Sequence, residues 1–175
     1  DCMALTKKQT GRQVSLPDGV IAERQFDKLF IGRRQKSAGE WYEEVRSFPF
    51  EVFLPEIGKT LTLFIKKREE LEENIPKSTY TKWFDYDKIE QVISVRNLTA
   101  EDEIIVYADG RKKKAASVLT EAKIPKELRR YYPVLTEGNN VLWIPGIRGS
   151  EGVHVTKETK QVLVATIDGG NEDGR

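Results

Sequence analysis

Trp83-Phe84-Asp85-Tyr86-Asp87-Lys88-Ile89, Ile93 to Arg96, Arg111-Lys112-Lys113-Lys114 and Glu121-Ala122-Lys123-Ile124-Pro125-Lys126-Glu127-Leu128-Arg129-Arg130 follow one another in the second half of a 175-residue chain. Read for periodicity, this half gives short strands at 92–96, 103–107, 133–135, 141–144 and 162–167. Between them the pattern predicts helices over 112–122 and 125–131, with Pro125 as a first helical residue, where its missing N–H is no loss.

Upstream the chain reads as β structure. Val14 and Leu16 alternate, Pro17-Asp18-Gly19 makes a turn, Val20 to Phe26 follows, and Asp27-Lys28 separates it from Leu29-Phe30-Ile31, which predicts a three-strand meander. Ser37-Ala38-Gly39 gives a loop. Phe48, Phe50, Val52 and Leu54 fall at every second position, broken only by Pro49, as suits an edge strand, and Leu61, Leu63 and Ile65 repeat the pattern. Lys66 to Glu73 includes one apolar side chain, so residues 66–78 read as a solvated linker. The expected fold is α+β, with two small β-rich lobes. Residues 1–78 form a substrate-binding or connecting lobe, and residues 79–167 form a second lobe with a mixed, barrel-like sheet and two or three short helices. The polar, glycine-rich stretch 168–175 is expected to be disordered.

Composition limits the function classes. The chain carries 29 Lys+Arg against 28 Asp+Glu, so overall charge gives no support for a nucleic-acid partner and any such role must rest on local clusters. The single cysteine, Cys2, cannot close an internal disulfide, which fits a reducing, cytoplasmic compartment. No apolar run approaches the roughly twenty residues of a membrane span. No Gly-x-x-x-x-Gly-Lys-Ser/Thr or Gly-x-Gly-x-x-Gly pattern is present to cradle nucleotide phosphates. The opening Asp1-Cys2-Met3 reads as the interior of a longer protein, so any catalytic machinery is expected elsewhere.

Arg111, Lys112, Lys113 and Lys114 are the main candidate site. Placed at a predicted helix start they oppose the positive end of the macrodipole, so an anion should favour them, and free N–H groups there add to a phosphate site. A solvated basic turn is the alternative. Arg129, Arg130, Arg96 and Arg148 could flank the same surface, with surface salt bridges the alternative for Arg130 and Arg148 and an ion pair to Asp85 or Asp87 for Arg96. Trp41, Tyr42, Tyr131 and Tyr132 could stack on unpaired bases, whereas Trp143, in Val141-Leu142-Trp143-Ile144, reads as core. His154, the only histidine, lacks a cysteine cluster, which argues against zinc. Asp85, Asp87, Glu101 and Asp102 have no nucleophile beside them and read as caps and turns.

The order of these segments resembles the C-terminal domain of the tRNA(Ile)-lysidine synthetase family. Phe84 to Ile89 is similar to its F-D-x-D-K-I segment, and Lys123-Ile124-Pro125 to Arg129 to its K-I/V-P-x-x-x-R segment. Trp143-Ile144-Pro145-Gly146-Ile147-Arg148 and Val155-Thr156-Lys157-Glu158-Thr159-Lys160-Gln161-Val162 are similar to its last two strands. Two departures are Glu101-Asp102, where the family has Gly-Asp, and Ala116, where a lysine is common. The resemblance implies a parent ligase that uses ATP and Mg to adenylate the wobble cytidine of tRNA(Ile), after which free lysine displaces AMP. It also implies that residues 79–167 hold tRNA through Lys112, Lys113, Lys114, Arg111, Arg96, Arg129, Arg130 and Arg148, with no catalytic or metal-binding residue in this chain. The contrasting expectation is an interaction module whose β edges pair in a homodimer.

Overall fold

The computed structural model describes three strands within residues 13–33 and every residue from 39 to 167. β1 (Gln13–Ser15), β2 (Val20–Gln25) and β3 (Lys28–Arg33) form an antiparallel sheet in that order, the meander expected from the intervening turn residues. The loop expected at Ser37-Ala38-Gly39, apart from Gly39, and the stretch 168–175, with the disorder expected of it, lie outside the described residues.

Residues 39–167 build two further sheets from β4 (Tyr42–Glu44), β5 (Phe50–Leu54), β6 (Lys59–Lys67), β7 (Thr81–Asp85), β8 (Ile93–Asn97), β9 (Glu103–Ile105) and β10 (Lys112–Lys114), followed by β11 (Pro133–Glu137), β12 (Asn140–Ile144), β13 (Arg148–Gly149) and β14 (Gln161–Ile167). Two short helices, α1 (Ala115–Glu121) and α2 (Lys126–Arg129), interrupt them. One sheet is antiparallel in the order β5-β6-β14-β7, with β5 at the edge as the alternation around Pro49 predicts. The larger sheet runs β10-β9-β12-β11-β8-β4, with β13 also on β12, and is mixed because β9 and β12 pair in parallel. Both orders have free ends, so neither sheet closes into the expected barrel.

The two sheets share one core. Leu54, Leu61, Leu63, Phe84, Leu163 and Ala165 of the smaller sheet meet Ile93, Val95, Leu135 and Trp143 of the larger, all buried. Burial of such side chains contributes roughly 1.5–3 kcal/mol each, which is ample to hold the two sheets together. On the opposite face of the larger sheet, Ala115, Val118 and Leu119 of α1 pack with Ile104, Val134, Val141 and Ile144. This explains why Pro133 to Leu135 of β11 and Val141 to Ile144 of β12 are apolar without alternation: those strands are covered on both sides.

Two expectations change here. Residue 78 does not part the sheets, because β6 pairs with β14 along seven register positions and β4 pairs with β8. The charged stretch after β6 is a surface connection, its Arg68 donating to the carbonyls of Glu72 and Glu73. Lys112 to Lys114 are also not a helix start. They form β10, antiparallel to β9, and α1 begins only at Ala115. The reason is the turn before them: Asp109-Gly110, with Gly110 at φ 87, closes a hairpin in which Val106 N–H donates to the Arg111 carbonyl.

Candidate nucleic-acid interface

The β9–β10 hairpin fixes the direction of each basic side chain. Lys113 registers with Ile104, whereas the more exposed Lys112 and Lys114 register with Ile105 and Glu103 and face the other way. Lys113 Nζ donates to Glu121 Oε1 on α1 at 2.7 Å. That hydrogen bond lifts its pKa above the ordinary lysine value, with desolvation and Arg148 opposing. Lys114 Nζ lies 3.4 Å from Glu103 Oε1, and Arg111 Nε lies 2.7 Å from Asp109 Oδ2. Among the described residues Lys112 Nζ meets a neutral oxygen, Asn140 Oδ1, at 3.2 Å and no carboxylate. Arg148 closes the group, its Nη2 donating to the Val106 carbonyl at 2.6 Å. Five cations thus face three carboxylates, a local positive excess in a chain that is nearly neutral overall. Such exposed pairs are weak because solvent screens them, so a phosphate can compete for the same lysines.

Arg148 reaches this place through a tight turn. Ile147 N–H donates to the Ile144 carbonyl across Pro145-Gly146, and Gly146 at φ 75 supplies the positive angle that a type II turn requires. Arg129 and Arg130 lie on or just after α2: Arg129 Nε donates to the Ile124 carbonyl, and Arg130 pairs loosely with Glu40 at 3.6 Å between well-exposed side chains. Arg96 is different. Its side chain is 12% exposed and forms a bidentate pair with Asp102, Nη1 to Oδ2 at 2.8 Å and Nη2 to Oδ1 at 2.7 Å. Its partner is therefore Asp102 rather than Asp85 or Asp87. Asp85 is buried and accepts from Thr159 Oγ1 and from Asp87 N–H, the turn role expected of it.

Trp143 is fully buried, in the core as its apolar strand predicts. Tyr132 is also buried, its hydroxyl donating to the Pro145 carbonyl, and Trp41 Nε1 donates to Glu56. Of the aromatic side chains considered for stacking, Tyr42 is the most open. Tyr107, which sequence reasoning missed, is exposed in the hairpin loop with the Arg111 guanidinium 4.2 Å above its ring. Its position next to Ala108-Asp109-Gly110 was the available signal. Asn140, Glu103 and Glu121 were also missed, since each meets its lysine only through pairing or helix packing.

The sequence model of the TilS substrate C-terminal domain matches residues 93–165, the segment holding β8 to β13 and most of β14. Residues 93–165 form a TilS substrate C-terminal domain. The domain's surroundings agree: the chain is 30% identical over 174 residues to a tRNA(Ile)-lysidine synthase of Clostridium tetani, covering 99% of this chain and 37% of that protein. It is 31% identical over 180 residues to one of Clostridium perfringens, covering 97% of this chain and 38% of that protein. The chain thus spans little more than a third of the length of these curated relatives. A crystal structure of a TILS C-terminal domain superposes with a TM-score of 0.62 at 18% identity, over 73% of this chain and 95% of that one, which establishes the shared fold.

Proposed function

We propose that this chain is the tRNA-holding C-terminal portion of a cytoplasmic tRNA(Ile)-lysidine synthetase. The complete enzyme would use ATP and Mg to adenylate the wobble cytidine of tRNA(Ile) and would then let the amino group of free lysine displace AMP. The observation that carries the role of this portion is the basic β9–β10 hairpin, where, among the described residues, Lys112 faces no carboxylate and Arg111, Lys113, Lys114 and Arg148 outnumber theirs. Arg129 and Arg130 are further candidates for phosphate binding. Arg96 belongs to the reading only through what it holds in place. Binding energy gathered far from the chemistry would then orient the anticodon loop toward a distant site. Among the described residues no helix is long and apolar enough to cross a membrane.

Replacing Lys112, Lys113 and Lys114 together by alanine in the full-length protein tests the proposal. Weaker tRNA binding is expected, with the salt slope of log K lowered by roughly 0.7–0.9 for each phosphate that is no longer neutralised. The thermal unfolding midpoint should change little, because the pairs removed are exposed and screened by solvent. Unchanged tRNA affinity would favour the interaction-module reading, in which β edges pair with a second copy.

A further inference from the structure

We infer that Arg96 and Asp102 are positioning residues for the basic hairpin, acting on bound RNA through Lys112 and Lys114 rather than by touching it. This rests on the proposed reading of that hairpin. The guanidinium has little left to offer a ligand: besides the two bonds to Asp102, Nη1 donates to the Asn97 carbonyl and Nη2 to the Gly138 carbonyl, both at 3.0 Å. Two of these acceptors lie next to the frame of a lysine. Gly138 sits in the β11–β12 turn, two residues before Asn140, the partner of Lys112. Asp102 immediately precedes Glu103, which pairs with Lys114 in register and by charge.

The backbone completes the connection. The Asp102 carbonyl accepts from Ala115 N–H, the residue after Lys114, and Glu103 N–H donates to the Asn139 carbonyl beside Gly138. The Asp102 carboxylate, fully buried, also accepts from Thr99 N–H at 2.7 Å. One ion pair therefore anchors both the β11–β12 turn and the start of β9, and β10 takes its height and register from these two. A planar fork is the group suited to hold two carboxylate oxygens and two carbonyls at once, which an ammonium cannot do in the same geometry.

Asp102→Asn in the full-length protein gives a test in which the two roles have opposite signs. If Arg96 met phosphate itself, removing the neighbouring carboxylate would free its charge and tighten binding to a tRNA(Ile) transcript bearing a wobble cytidine. Positioning predicts about tenfold weaker binding, and a similar loss in Arg96→Lys, which keeps the charge but not the fork. Both losses should vanish when the same substitutions are made in a Lys112→Ala, Lys114→Ala background, with circular dichroism confirming the fold at the assay temperature. Tighter binding in Asp102→Asn, full retention in Arg96→Lys, or losses that persist without the lysines would overturn the positioning role alone. A lysine double variant that binds like wild type would overturn the hairpin reading and the positioning role with it. Should Asp102→Asn not fold, Arg96→Lys carries the same cycle.

Discussion

At the scale of single residues, burial decides roles that residue type leaves open. Tyr132 could have stacked on a base, yet it is buried beneath the Pro145 carbonyl, and burial, with a smaller contribution from Tyr80, pushes its phenol up to about 12 from 10.0. A raised folded-state pKa means that the stabilisation is complete below pH 10 and is lost as pH rises through about 12. The total is up to about 2–3 kcal/mol. Denaturant midpoints between about pH 9 and 12 should therefore fall in the wild type and fall less in Tyr132→Phe; parallel curves would refute the assignment. Trp143 fills the core between the sheets, and its Nε1 has no hydrogen-bond partner among the described residues. Trp143→Phe should accordingly cost much less than Trp143→Ala, for which about 3–5 kcal/mol is expected from equilibrium unfolding.

At the scale of elements, turns govern more than helices do. Glu137 and Asn140 are register partners, so Gly138-Asn139 is a two-residue hairpin loop, and Gly138 adopts φ 58. An added Cβ there would meet only Gln91 Oε1 at 3.5 Å. The penalty of Gly138→Ala is therefore conformational, about 1–2 kcal/mol in chemical denaturation. A penalty below about 0.3 kcal/mol would mean that the backbone relaxes. The same logic explains the misread basic segment. Four successive cations suggested a helix start, but Asp109-Gly110 just before them is a hairpin signal, and the strand it returns is Lys112–Lys114. The macrodipole therefore has no bearing on Lys112 or Lys113, since the helix starts beyond them. Nearby, Pro125 caps α2 from one residue outside it.

At the scale of the molecule, the two sheets of residues 39–167 are joined by polar ties as well as by the core. Asn97 of β8 accepts from Trp41 N–H and donates to Glu56 Oε1 in the β5–β6 turn and to the Tyr131 carbonyl. Asn97→Ala leaves several groups unpaired and should destabilise by about 2–4 kcal/mol in thermal unfolding. Tryptic cleavage in the exposed stretch at Lys77 should give pieces that co-elute under native conditions and separate only in denaturant, because β6 stays paired with β14. Separation without denaturant would restore a division near residue 78. The strand-rich α+β class, the meander, the edge position of β5, the core role of Trp143 and the resemblance of the second half are all legible in the residues alone. These are carried by period-2 patterning, turn residues and segment order, all local along the chain. Folding was needed to make β6 and β14 neighbours, to give Arg96 to Asp102 and to set Lys112 against Asn140 while Lys113 meets Glu121. Register between distant strands such as β6 and β14 is set by how whole faces pack, and even the near neighbours Arg96 and Asp102, or Lys113 and Glu121, meet only because the chain turns back between them.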